Sequence, residues 1–261
     1  MTTLESIPGA GWKSLIAVAM ARADEEGQAQ KQDRSRNRRD EILAAAVRVF
    51  ARDGVGRARI ADIAAEAGVP MSSVYSYYAS KEEIAYAVPI ARMTAFFGEF
   101  VDKAESVASS RERLTLFLWL TADFARRNQD WARTLYLEVW PSVLVEKTRV
   151  RTTLDDYGRI MLALLDDGAR DGEWAVDRAP YQTVTILIGS ISQLIITWLL
   201  YRSPRDLMKA TSSLIERLLT LLEPAPTRPS AKQRASGGPA VRSRETKRDR
   251  SVAAVPATDG A

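Results

Sequence analysis

The chain has 261 residues, 46% of them hydrophobic and 27% charged, and contains neither cysteine nor histidine. That leaves room for one or two domains with a proper core and is too apolar for a disordered chain. Disulfides, zinc fingers, iron–sulfur clusters, thiol nucleophiles and Ser-His-Asp triads are all excluded, so an enzyme is disfavoured, with only an Asp/Glu dyad or a magnesium site left open.

The net charge of +4 is unevenly spread. Residues 224–261 hold eight Lys/Arg against Glu245, Asp249 and Asp259, which leaves 29 basic and 30 acidic side chains before them.

At the N-terminus, residues 11–22 (GWKSLIAVAMAR) contain a short apolar run from Leu15 to Ala21. Its acidic flanks do not suit a signal peptide. Residues 1–35 are therefore expected to form a flexible extension, holding at most a loosely docked helical turn and ending in the polar stretch 24–36. From Asn37 to Glu223 the pattern is nearly continuous helix, with no sustained alternation of strand formers. Breaks at Asp53-Gly54, Gly68-Val69-Pro70, Ala79-Ser80, Ser109-Ser110, Asn128-Gln129-Asp130, Lys147-Thr148, Asp171-Gly172 and Ser203-Pro204 divide this body into about nine helices. The fold class is all-α.

Asn37 is a candidate cap for a first helix, with Asp40 at its N3 position. Ile42, Leu43, Ala46, Val49 and Phe50 form its apolar stripe, and Gly54 stops it. A second helix, about Ile60 to Ala67, buries Ile60, Ile63, Ala64 and Ala67. Gly68 supplies a turn at positive φ, and Pro70 suits the first turn of a third helix, MSSVYSYY, residues 71–78. Ser80, Lys81, Glu82 and Glu83 read as a capping box for a fourth. Two short helices joined by a glycine turn on a longer one make a helix-turn-helix.

In that motif the third helix enters the major groove. Met71, Ser72, Ser73 and Ser76 would face base edges, the hydroxyls reading with low selectivity and Met71 meeting a thymine methyl. Tyr75 and Tyr77 reach phosphate oxygen, and Lys81 at a helix N-terminus makes a second phosphate seat. Residues 31–81 carry ten Lys/Arg and six Asp/Glu in a body that is otherwise acidic. Arg57 and Arg59 lead into the second helix.

Beyond residue 84 no catalytic constellation appears. Asp155-Asp156 and Asp166-Asp167 are sequence neighbours and do not converge, and Asp167–Gly172 has neither the strand nor the spacing of a phosphate loop. The segment Tyr181–Tyr201 carries no charge over 21 residues. Its Val184, Leu187, Ile188, Ile191, Leu194, Ile195 and Trp198 follow one helix face, and seven polar side chains interrupt it. It is expected to lie against protein, at a subunit interface, rather than in a membrane. With the next helix, Arg205–Leu222, it forms the expected dimer face. The tail 224–261, with five of the eleven prolines, is expected to be disordered and basic.

The run Ile42 to Phe50, Gly54, Ile60 to Val69, Ser73 to Tyr75, Tyr77, Tyr78 and Ser80 to Glu82 resembles the TetR family of transcriptional regulators, over about 50 residues without a gap. The resemblance implies a dimeric all-helical regulator, most often a repressor released from its operator by a small ligand. Its DNA-contacting positions fall on Arg59, Met71, Ser72, Ser73, Tyr75, Ser76, Tyr77 and Lys81. Ala58 stands where a threonine is frequent, Pro70 where a serine is usual, and Pro89 is expected to kink the fourth helix.

The resemblance also implies a ligand pocket inside the second domain. Here it would be apolar, with Phe100, Phe117, Phe124, Trp140 and Tyr157 as lining candidates and Arg126, Arg133, Glu138 or Tyr157 as unranked anchors. The expected organisation is an extension 1–35, a DNA-binding domain 36–96 with its motif at 59–78, a ligand and dimerisation domain 97–223, and the tail. No metal or cofactor is called for. The expected partners are a near-palindromic double-stranded operator, a small apolar or amphipathic effector and a second copy, in the cytoplasm and without a membrane. A helical ligand-binding dimer without operator binding, a membrane-associated helical protein, and an activator on the same fold stay open as alternatives.

Overall fold

The computed structural model describes residues 11–28, 33–141, 149–175 and 179–223. Every regular element among them is helical. In chain order they are α1 (Trp12–Gln28), α2 (Asp33–Arg57), α3 (Ile60–Ala67), α4 (Met71–Tyr75), α5 (Lys81–Ala104), α6 (Ser110–Arg127), α7 (Gln129–Arg133), α8 (Arg149–Arg170), α9 (Pro180–Tyr201) and α10 (Leu207–Leu219). A π-helical turn, Thr134–Val139, extends α7, and a 3-10 turn, Thr220–Leu222, extends α10. From α2 to α10 these are the nine helices the breaks imply, and α1 is an addition. The basic tail and the Lys147-Thr148 break lie outside the described residues.

Two expectations at the N-terminus are corrected. Residues 12–28 do not form a flexible extension: they are helix α1, which packs against α5 and α8. Trp12 and Ile16 are buried, and the Trp12 ring meets Phe100 edge-on at 5.2 Å between centroids. A large indole on a fully buried phenylalanine removes enough apolar surface from water to hold a short amphipathic helix in place. Asn37 is not a cap, because α2 already starts at Asp33. The arginine-rich turn before it contains no helix breaker, and an Arg38–Glu41 pair at 2.9 Å supports the winding.

Gly54 interrupts α2 as expected, at φ 76 and ψ 152, a region essentially closed to other residues. Ser80 caps α5 by accepting the Glu83 amide at 3.1 Å, while the Glu83 carboxylate reaches back to the Ala79 amide at 2.6 Å. The box therefore closes one residue earlier than the motif. α5 runs on through Pro89, which is buried. Ser109 and Asp206 cap α6 and α10 in the same way, accepting amides three residues on at 3.0 and 2.9 Å.

α2, α3 and α4 form one three-helix unit, whose α2 also packs against α5, α7 and the π-turn. Helices α5, α6, α8, α9 and α10 pack around the second core. α9 buries Val184, Leu187, Ile191, Ile195 and Trp198, the face its spacing indicates. Its other side leaves Ile186, Leu200 and Tyr201 exposed. By length and composition α5 and α9 could each cross a membrane, and both are partly buried within the fold. α10 differs from expectation: its apolar stripe is largely spent on α6 and α9 of its own chain, and Leu221 is the large apolar side chain it leaves exposed.

Candidate nucleic-acid interface and effector cleft

The three-helix unit presents α4 outward. Ala64 and Ala65 accept the backbone amides of Val69 and Gly68, and Gly68 turns the chain at φ 67. α4 is shorter than the sequence suggests, ending at Tyr75, because Val74 and Tyr78 both insert into the core and pull Ser76 and Tyr77 into a closing turn. Tyr78 is held by Arg39, whose Nε donates to the phenol oxygen at 3.1 Å and whose guanidinium lies 5.9 Å from the ring centroid. Burial pushes that phenol above its ordinary range. Pro70 leaves α4 without a side-chain cap.

Of the eight expected contact residues, Met71, Ser72, Tyr75 and Ser76 share the exposed surface of α4, with Met71 46% and Tyr75 52% exposed. Ser76 Oγ donates to the Ser72 carbonyl at 2.9 Å, so its hydroxyl faces solvent as an acceptor. Ser73 and Tyr77 are half-buried, and Tyr77 packs on the core. Arg59 stands at the head of α3, its guanidinium bridging both oxygens of Asp62 at 3.1 Å. Asp62 also accepts the Arg59 backbone amide, and this pairing holds its carboxyl below the usual range. Lys81 is tied back, its Nζ donating to the Gly56 carbonyl at 2.9 Å.

The second core contains a narrow apolar cleft. Phe124, Trp140 and Tyr157 line it, together with Phe96, Trp131, Leu135, Tyr136, Ile188 and Ser192. Phe100 and Phe117 do not. They are fully buried and meet each other edge-on at 4.9 Å, part of the solid core that Trp12 caps. Among the anchor candidates only Tyr157 reaches the cleft. Arg126 pairs with Asp123 at 2.8 Å, Arg133 donates to the Leu199 carbonyl at 2.9 Å, and Glu138 turns toward α2.

The polar atoms of the cleft are paired among themselves. The Tyr157 and Thr121 hydroxyls lie 2.7 Å apart, and the Tyr136 hydroxyl bonds Ser192. Burial raises both phenols far above their ordinary range, so both stay neutral. Trp131 Nε1 is the exception among the described residues, a buried donor without a partner. The free space is about 20 Å³, on the order of one water. Trp131 also walls a groove of about 760 Å³ between α2 and the helices α5 and α7, lined by Arg48, Arg92 and Arg127 together with Asp40 and Asp130.

The described residues thus combine a helix-turn-helix that presents its second helix outward with a helical domain that holds an apolar cleft, the architecture of a DNA-binding protein. Residues 42–88 match the family described as bacterial regulatory proteins, tetR family. The fatty acid metabolism regulator protein of Bacillus subtilis is 24% identical over 69% of this chain and 93% of its own length. The HTH-type transcriptional repressor KstR2 of Mycolicibacterium smegmatis is 28% identical over 54% of this chain and 69% of its own. The crystal structure of FadR from Bacillus subtilis in complex with stearoyl-CoA superposes with a TM-score of 0.64 at 25% identity, covering 69% of this chain and 97% of that one. FadR from Bacillus halodurans shares the fold at a TM-score of 0.65 and 21% identity, covering 73% and 96%. The chain is similar to TetR-family transcriptional regulators, in sequence over its helix-turn-helix and in fold beyond it.

Proposed function

We propose that this regulator is a homodimeric repressor that leaves its operator when a long-chain acyl-CoA enters the cleft. DNA recognition belongs to residues 36–96 with the motif at 59–78, and ligand binding and dimerisation to 97–223. Met71, Ser72 and Ser76 read base edges, with Ser73 beside them. Tyr75 and Tyr77 reach phosphates, and Arg59 and Lys81 flank the recognition helix as further phosphate contacts.

The observation that carries the effector reading is the cleft itself: aromatic walls, internally paired hydroxyls and one unpartnered buried N–H. An acyl chain matches the walls, and its thioester carbonyl offers the acceptor that Trp131 Nε1 lacks. The stearoyl-CoA bound by the Bacillus subtilis FadR supports the class. Pockets for drug-sized ligands measure about 300 Å³ or more, so binding must open a cleft that holds about 20 Å³. The exposed Ile186, Leu200, Tyr201 and Leu221 support a second copy on α9 and the end of α10.

The test is isothermal titration of stearoyl-CoA into the full chain and into Trp140→Ala, with sedimentation for oligomeric state. The reading expects a dimer, saturable binding by the parent and binding weakened at least tenfold in the variant. No heat of binding to the parent would remove acyl-CoA as effector.

A further inference from the structure

The π-turn Thr134–Val139 has two sides with different neighbours. On one side Leu135 and Tyr136, with Trp140 just beyond, form a wall of the cleft. Tyr136 stacks on Trp140 at 5.7 Å and an interplanar angle of 14°. On the other side Glu138 points at the DNA-binding unit. Its Oε2 accepts the Val55 amide at 3.4 Å, and its Oε1 lies 3.3 Å from where a Cβ on Gly54 would sit.

The segment it touches is the joint of that unit. Gly54 breaks α2 in a conformation that glycine alone holds comfortably, and Ile60 begins α3 six residues later. Lys81 grips the same joint from the start of α5 through the Gly56 carbonyl. The loop that aims α3 and α4 is thus held at Gly56 by Lys81 of α5, and at Gly54 and Val55 by a carboxylate on the side of the π-turn away from the cleft.

The wide winding of that wall matters. The Trp140 amide bonds the Leu135 carbonyl, five residues back, at 2.8 Å. Such turns are rare, occur mostly as single π-bulges and concentrate at functional sites. With about 20 Å³ of free space, nothing larger than water enters without displacing part of the lining, which the π-turn shares with Met93 and Phe96 of α5, Leu154 and Tyr157 of α8, and Ile188 of α9. Displacement on the π-turn side moves Glu138 with its neighbours, because all of them sit on one short segment.

We infer that Glu138 is the positioning residue that carries the state of the cleft to the DNA-binding helices, through its contact with Gly54 and Val55. It touches neither ligand nor DNA. The inference rests on the effector reading only for what fills the cleft, since the mechanical link is independent of the ligand's identity.

A double-mutant cycle tests it without any ligand. Ile188→Phe enlarges a side chain facing the π-turn across the cleft, and operator affinity is read by fluorescence anisotropy on a duplex that the parent chain selects from random sequence. In the parent background Ile188→Phe is expected to lower affinity by roughly 5- to 150-fold. In a Glu138→Ala background the same change is expected to shift affinity less than threefold. Glu138→Gln keeps an acceptor for the Val55 amide and should restore the parent's response.

Glu138 is exposed, so Glu138→Ala and Glu138→Gln are expected to keep the parent's melting curve. Equal shifts in the parent and Glu138→Ala backgrounds, or no shift in the parent, would overturn the inference. Stearoyl-CoA is titrated in parallel. Its failure to release the parent from the duplex would count against the acyl-CoA reading alone, and the cycle would still decide the role of Glu138.

Discussion

Gly54→Ala is the substitution whose consequence can be worked most fully from the structure. At φ 76 and ψ 152 the residue occupies backbone space that an L side chain enters at about 1–3 kcal/mol. The added Cβ also meets Glu138 Oε1 at 3.3 Å, a contact a flexible glutamate relieves by moving a few tenths of an ångström. The backbone term therefore dominates. For a chain of this size each kcal/mol lowers the melting temperature by roughly 2–4 °C, so the variant should melt roughly 2–12 °C below the parent. Gly56→Ala is the control, because its Cβ would meet nothing within 4 Å. It should melt with the parent or slightly above, through the reduced entropy of the unfolded chain. Thermal melts followed by circular dichroism at the helix band read both. If Gly54→Ala melted with the parent, or Gly56→Ala fell as far, the joint between α2 and α3 would not have the conformation described.

Three further outcomes follow from the site. Tyr75→Ala removes a side chain that is 52% exposed. It should leave the melting curve unchanged while weakening the selected duplex, and Arg59→Ala should lower the salt slope of binding by about one; unchanged affinity in both would displace the interface from α4. Thr121→Val strips the buried Tyr157 hydroxyl of its 2.7 Å partner, at roughly 1–3 kcal/mol. Tyr157→Phe leaves Thr121 still bonded to the Phe117 carbonyl, so it should melt higher than Thr121→Val, and the reverse order would refute the pairing.

The third outcome concerns pH. The chain has no histidine, so stability should be nearly flat from about pH 5.5 to 7.5. The Asp62 carboxyl is held below its ordinary range by Arg59, so its contribution is present above the ordinary carboxylate pKa and is lost as pH falls through the lowered one. Asp62→Asn should therefore flatten part of the acid limb in a melting-temperature series, and an unchanged limb would remove Asp62 from the account.

The DNA-binding unit was legible because its signals are local. Gly68, Pro70 and Ser80 each fix a turn or a cap within a few residues, and the apolar spacing from Ile42 to Phe50 names the buried face. What failed depended on partners far along the chain. The short apolar run holding Ile16 carries no mark that Trp12 will land on Phe100, 88 positions away. That contact is also why Phe100 and Phe117 became solid core while Phe124, Trp140 and Tyr157 line the cleft. Helical spacing says which side of a helix is buried, not which part of that side stays accessible. Glu138 gave no signal either: an acid in an apolar stretch reads as an anchor candidate, and only the fold reveals that it faces Gly54 and Val55.

The central claim, a sequence-specific regulator released by its effector, is tested most directly by one anisotropy series on the full chain. The N-terminal helix is retained because Trp12 of α1 packs on Phe100. The selected duplex and a scrambled one are titrated at several salt concentrations, then again with stearoyl-CoA. The account predicts tight, steeply salt-dependent binding to the selected duplex, weak binding to the scrambled one, and loss of the difference on adding stearoyl-CoA. Equal affinity for both duplexes at every salt concentration would contradict it.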